Sequence, residues 1–140
     1  MDTKLNKRFQ VFKGSKEGMP VLVTADPDYD IHLPSRSFSV LLSMIILYNK
    51  EDERGFHSAE DQMKIVRFEE RIEGDEILAK SIFLAGTVTF GGKKELYYYC
   101  KKDNLEKNIL DEIISKCGLR ISYTLFDDTS FQEAKYYLGL

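Results

Sequence analysis

The chain has 140 residues, of which 43% are hydrophobic and 31% charged, and its formal net charge is −3. This length and composition fit one globular domain, residues 1–140, and exclude a disordered or fibrous chain. The small negative charge disfavours a general nucleic-acid or anionic-membrane surface. The longest apolar run, 40–48, is too short to cross a bilayer, and residues 1–8 lack a secretion signal, so we expect a cytoplasmic protein.

The first third of the chain predicts a hairpin, a loop and a central strand. Phe9 and Val11 alternate with polar residues before the loop 14–18, and Val21 and Val23 do so after it. Residues 26–37 carry two prolines and three aspartates and are predicted to be a loop. The strand 38–48 has one wholly apolar face and one mixed face, which is typical of a central strand. The apolar face consists of Phe38, Val40, Leu42, Met44, Ile46 and Tyr48.

Two helices and three further strands follow. A polar turn at 51–55 precedes a helix that Ser58 caps and that runs to about Gly74. Residues 82–101 form a second hairpin around two glycines. The second helix is predicted to begin with Asp103 as its cap and to end at Gly118. A strand at 119–126 and a short helix, capped by the segment 127–129, complete the chain.

From 38 to 126 the order is β-α-β-β-α-β, so we predict an α+β fold with a ferredoxin-like sandwich as its core. The N-terminal hairpin and the C-terminal helix are additions to that core. Cys100 and Cys117 lack metal-binding or redox spacing and lie at distant points of this fold, so we expect buried free thiols, no metal and no cofactor.

The sheet face opposite the two helices is predicted to be unusually apolar. A large exposed apolar area usually marks an interface. Three alternatives are open for this face. It is covered internally by the final helix or the hairpin, or it is covered by a second copy or another protein. In the third, single-stranded RNA stacks on Tyr97 and Tyr99. The residues predicted to line this face are Leu41, Ile45, Leu47, Phe83, Tyr97, Tyr99 and Phe126.

The RNA alternative is the weakest of the three. Tyr97 and Tyr99 have the spacing that stacking needs, but Glu95 adjoins them and the chain is acidic. We therefore consider nucleic acid an unlikely partner.

Few carboxylates qualify as candidates for chemistry. Glu69 is predicted to face the core, where it would be either a raised-pKa acid or base in a ligand pocket or a hydrogen-bonded structural group. Asp127 and Asp128 could bind a basic partner, although capping the last helix accounts for one of them. The aspartates at 26, 28 and 30 lack the glycine and glutamate of a calcium loop. We assign no catalytic residue.

Short segments throughout the chain resemble the bacterial domain-of-unknown-function family 695. The resemblance implies no established activity. Some related chains adjoin or are fused to a domain similar to the ribonuclease E inhibitor called regulator B, which is also ferredoxin-like, and this implies a protein-binding regulator. We therefore favour a non-catalytic module that binds itself or another protein through its open sheet face. The segments that carry the resemblance are 19–23, 55–56, 68–70, 85–92, 96–99 and 127–131.

Overall fold

The computed structural model describes residues 8–48 and 58–140. Three parts of the sequence analysis lie outside these ranges. They are the predicted turn at 51–55, the segment 55–56 that contributes to the family resemblance, and the residues before Arg8. The strands are β1 Gln10–Lys16, β2 Met19–Ala25, β3 Val40–Leu47, β4 Ile82–Phe90, β5 Lys93–Cys100 and β6 Arg120–Asp127. The helices are α1 Tyr29–His32, α2 Ala59–Gly74, α3 Lys107–Lys116 and α4 Glu133–Leu138, with a 3₁₀ turn at Leu78–Lys80.

The six strands form one antiparallel sheet in the order β1-β2-β4-β5-β3-β6. The fold is therefore mixed α+β. β3 pairs with both β5 and β6 over its full length, which confirms that it is a central strand.

The helices α2 and α3 pack on one face of this sheet. Ser58 caps α2 as predicted, because its hydroxyl accepts a hydrogen bond from the Asp61 N–H at 3.1 Å. Both helices contribute to a core with the alternate residues of β3 and β5 that share this face. The buried members of this core include Leu42, Met44, Ile46, Ile65, Phe68, Ile72, Leu96, Tyr98, Leu110 and Ile113.

The opposite face carries a second core, and α1 and α4 cover part of it. The expectation that this whole face is open is therefore wrong, and internal covering by the final helix is the alternative that the structure supports. α1 arises in the segment 26–37, which the sequence predicted to be loop only. This second core comprises Ala25, Tyr29, Phe38, Leu41, Ala85, Tyr97, Tyr99, Phe131, Ala134 and Leu138.

A β-bulge in β4 changes which side chains face the helices. Leu84 pairs with Tyr98 and Gly86 pairs with Tyr97, so Ala85 is an extra residue in the ladder. Strict alternation places Val88 on the helix face with Leu84. The bulge reverses the alternation beyond Ala85, and Val88 packs in the second core instead.

Two further expectations need correction. Phe38 precedes β3 and packs in the second core, because the alternation of a strand does not extend into the turn before it. The helix α3 begins at Lys107 with Glu106 in the cap position, and Asp103 lies in a preceding turn at φ 68°.

Cys100 and Cys117 are free thiols, as predicted, and both pack in the core beneath α2 and α3. In the ranges 8–48 and 58–140 no helix has the length and apolar character needed to span a membrane.

Candidate functional site

Asp128 is a buried carboxylate that anchors the start of α4. Its oxygens accept hydrogen bonds from the Tyr99 hydroxyl at 2.7 Å, the Ser130 hydroxyl at 2.9 Å and the Glu133 N–H at 3.0 Å. Burial alone would raise the pKa of Asp128, but these hydrogen bonds outweigh it and lower that pKa. The carboxylate is thus fully engaged within the chain, whereas the neighbouring Asp127 is exposed.

Two tyrosine hydroxyls complete this anchor. The Tyr29 hydroxyl donates to the Phe131 carbonyl oxygen at 2.5 Å and accepts from the Lys135 N–H at 3.2 Å. The Tyr99 hydroxyl accepts from the Ala134 N–H at 3.4 Å. Burial raises the pKa of both tyrosines, so their hydroxyls remain protonated donors. Together these groups satisfy the backbone N–H groups that a helix leaves unpaired at its N-terminus.

Tyr97 is covered by the same helix. Its ring stacks on that of Tyr137, with centroids 5.3 Å apart and planes at 8°. Tyr97 and Tyr99 are 3% and 0% exposed, so neither ring is available for base stacking in this structure. Ile45 and Phe83, the other two apolar candidates, are half-buried at the margins of the covered area.

The rest of this sheet face forms a groove of about 1110 Å³ between the N-terminal hairpin and α4. Side chains of β1, β2, β4 and β5 share this face, because paired residues of neighbouring strands point to the same side of the sheet. Phe12 pairs with Val23, Val23 with Val88 and Val88 with Glu95. We call this space the hairpin groove. Its apolar lining comprises Phe12, Val21, Val23, Val88 and Phe90 from the strands and Tyr136, Leu138 and Leu140 from the C-terminal segment.

The apolar lining of the hairpin groove is incompletely covered. Phe12 is 38% exposed, Leu140 42% and Tyr136 80%. Such an apolar area at the end of a sheet, rimmed by polar groups, is typical of a site for a protein segment.

Lysines outnumber carboxylates in the lining of the hairpin groove, although two of these lysines are ion-paired. Four lysines and one glutamate line it, against a net charge of −3 for the chain. The Lys93 ammonium pairs with Glu95 at 3.3 Å, and that of Lys135 pairs with Asp30 at 3.1 Å. The Lys16 ammonium lies 5.6 Å from the centre of the Phe90 ring. These lysines are Lys16, Lys93 and Lys135, together with Lys13 at the margin, which alternation in β1 places on the face opposite Phe12.

The sequence analysis did not predict this groove, because it ended the first strand three residues too early. The predicted loop 14–18 placed Val11 with Val21 and Val23. The structure instead makes a two-residue turn at Glu17–Gly18, so Phe12 faces the groove and Val11 faces away. A shift by an odd number of residues exchanges the faces of a strand. The signal available in the sequence was Gly18, which tolerates the positive φ that such a turn needs.

Asp26, the first aspartate of the segment after β2, has a structural role. Asp26 is 1% exposed and accepts hydrogen bonds from the Arg8 guanidinium and from His32 Nδ1, both at 2.7 Å. Its other oxygen accepts from the Asp28 N–H at 3.0 Å. Asp26 is therefore buried and ion-paired, in a segment that the sequence predicted to be a loop. Within the described part of the chain, no group of three or more metal-ligating side chains is present.

Glu69 lies on the other face of the sheet, between α2 and β5. Its carboxylate pairs with the Lys94 ammonium at 2.8 Å, and both side chains are largely buried. One turn along, Glu73 is exposed at the surface, but partial desolvation of its carboxyl and then the charge of Glu69 raise its pKa to about 7, while Lys94 opposes them. Glu69 itself is engaged in an ion pair.

The raised pKa of Glu73 predicts a pH-dependent stability. Because the folded state holds this proton more tightly than the unfolded chain, the contribution of Glu73 is most favourable below pH 4.5 and is lost as the pH rises towards 7. We expect Glu73→Gln to have a smaller fall in melting temperature between pH 5 and pH 8 than the parent chain. The difference is expected to be small, because Glu73 is exposed and solvent screens its charge. The measurement is thermal unfolding across this range, with Glu76→Gln, a second exposed glutamate nearby, as control. Parallel pH profiles for all three proteins would contradict the prediction.

One family model matches residues 7–133, and it is described as a family of unknown function, DUF695. No curated protein and no solved structure matches the chain.

Proposed function

The chain belongs to the family of unknown function DUF695, and we propose that it is a non-catalytic module that binds a partner protein in the hairpin groove. The proposed ligand is an acidic segment with apolar side chains. The observation that carries the proposal is the groove itself, which is apolar along the strands and carries the Lys16 ammonium beside the Phe90 ring in a chain of negative net charge.

The chemistry of the groove favours a protein segment over a small molecule. A small-molecule site usually encloses most of its ligand and converges a few polar groups on it. The hairpin groove instead leaves Phe12 and Leu140 partly exposed and exceeds the usual volume of such sites. The lysine ammonium groups at its rim complement the carboxylates of an acidic segment, and the covered rings of Tyr97 and Tyr99 are not available to stack nucleic-acid bases.

The proposed binding surface therefore lies on a different part of the sheet face from the one that the sequence predicted. The half that contains Tyr97 and Tyr99 packs against α4, and α4 provides one side of the groove. The half next to the hairpin supplies the binding surface in this proposal. The proposed class of partner, another protein, is unchanged.

Selection from a random peptide library against the parent chain tests the proposal. We expect enriched peptides to combine apolar residues with aspartate or glutamate. Phe12→Ser should weaken their binding by about tenfold or more, because Phe12 is the aromatic side chain that β1 contributes to the groove. Val11→Ser is the matched control, since Val11 is the neighbouring residue on the opposite face and is 61% exposed.

Two charge-reversal variants separate the electrostatic contribution to peptide binding from the apolar one. Lys16→Glu should weaken the same peptides and reduce the dependence of their affinity on salt, whereas Lys80→Glu, exposed on the 3₁₀ turn, should not. The proposal is wrong if no peptide is enriched, or if enriched peptides bind Phe12→Ser as well as they bind the parent.

We further propose that β3 to β6, with α2 and α3, form a ferredoxin-like unit. The order β4-β5-β3-β6 and the packing of both helices on one face support this assignment. A cytoplasmic location is also a proposal, and the two free cysteines are compatible with a reducing compartment.

A further inference from the structure

β1 is an edge strand with an accessible backbone. It has β2 as its only strand neighbour among the described residues, and all seven of its residues are exposed. Its pairing with β2 runs without interruption from Gln10 to Lys16. It has neither a bulge nor a proline, two of the features that commonly prevent an edge from accepting another strand.

The turn shows which backbone groups of β1 point outward. Glu17 and Gly18, at φ 55° and 78°, form a two-residue turn, and such a turn closes on a hydrogen-bonded pair, here Lys16 with Met19. Every second residue back along β1 therefore bonds to β2. Those between them direct their N–H and C=O groups away from the sheet. The outward-facing residues are Val11, Lys13 and Ser15.

Pro20 agrees with this assignment. It lies opposite Ser15, at a position where the antiparallel ladder needs no N–H directed at β1. The side of Pro20 that lacks the donor faces away from the edge strand.

We propose that the outer edge of β1 pairs with an extended acidic segment of the partner protein, which adds a seventh strand to the sheet. This inference rests on the proposed function of the hairpin groove. A strand added there would point every second side chain to the same face as Phe12, at the edge of the groove. Its backbone would satisfy the free groups of Val11, Lys13 and Ser15.

The charges of β1 favour a foreign acidic strand over a second copy of the chain. β1 carries Lys13 and Lys16 and no acidic residue. An antiparallel pair of two β1 strands would bring these lysines close to those of the other copy, and like charges on paired strands are destabilising. Glutamate or aspartate at those positions would instead form cross-strand ion pairs.

The first test uses the peptide that binds the parent chain most tightly after library selection. Lys13→Pro removes the outward N–H of β1 and leaves its bonds to β2 intact, while Lys13→Thr removes the charge and keeps the N–H. We expect Lys13→Pro to bind the peptide about tenfold more weakly than Lys13→Thr. Equal affinities of the two variants would overturn the strand-addition proposal.

Hydrogen exchange of the parent chain gives a second test that needs no substitution. In the free protein the amides of Val11, Lys13 and Ser15 should exchange fast, and those of Phe12 and Gly14 slowly. The bound peptide should slow the first three. If the peptide needs Phe12 but leaves these three amides fast, strand addition is wrong and the groove proposal stands. If no peptide is enriched, both proposals are wrong.

Discussion

Replacing Asp128 with alanine is expected to lower the free energy of unfolding by about 3 kcal/mol, because the Tyr99 hydroxyl and the Glu133 N–H lose their acceptor inside the fold. Urea unfolding followed by circular dichroism measures this loss. The matched control is Asp127→Ala, one residue away and exposed, which should change stability by less than about 0.5 kcal/mol. Equal effects of the two substitutions would show that the anchor contributes nothing.

The same carboxylate gives a pH signature. Its pKa is lower in the folded chain than in the unfolded one, so its stabilisation is present above about pH 4 and is lost as the pH falls further. Asp128→Asn should therefore lose less stability than the parent between pH 5 and pH 3. A parallel acid profile for the two proteins would contradict the assigned role of the carboxylate.

Gly86→Ala is expected to destabilise the chain by about 2 kcal/mol, because the new methyl group has no space. Its Cβ would lie 2.8 Å from the Thr24 carbonyl oxygen and 2.9 Å from both terminal carbons of Leu138. The carbonyl belongs to the sheet backbone and cannot move aside cheaply, so Leu138 and the end of α4 must shift.

Gly14→Ala is the matched control for Gly86→Ala. Gly14 is also a strand glycine, but a Cβ built on it has no neighbour within 4 Å. We expect an unchanged or slightly higher stability, because alanine restricts the unfolded chain more than glycine does. A Gly86→Ala variant as stable as Gly14→Ala would contradict the close packing of α4 on the sheet.

The periodic elements of this fold could be predicted from sequence because their signals are local. Ser58 lies three residues before Asp61, and the structure has the cap that this spacing predicts. The paired glycines at 91 and 92 likewise locate the second hairpin, since both adopt positive φ. The central position of β3 follows from its wholly apolar face together with a mixed, partly apolar one.

The candidate site depended on features with no local signal. The bulge at Ala85 moves Val88 to the other face, and the late turn at Glu17 exchanges Val11 for Phe12. Both change the register by an odd number of residues, which in a strand reverses the side chains that face a partner. The alternation of apolar residues therefore predicted an apolar sheet face. It did not predict which half of that face α4 leaves uncovered.

The covering of Tyr97 and Tyr99 is a tertiary effect of the same kind. The sequence predicts a short final helix with apolar residues, but not which sheet face it meets, and Phe131, which packs with Ala134 and Leu138, lies before α4 at φ 59°. The side chains that determine it are Tyr29, in a segment predicted to be loop, and Asp128, whose carboxylate reaches the first turn of α4.

The most direct test of the proposed function is chemical-shift mapping of the labelled parent chain with the peptide selected from the library. We predict that the shifts changed by binding cluster on Phe12, Val23, Val88 and Leu138 around the hairpin groove. Shifts confined to the outer surfaces of α2 and α3 would contradict the proposal and would place the binding surface on the other side of the sheet.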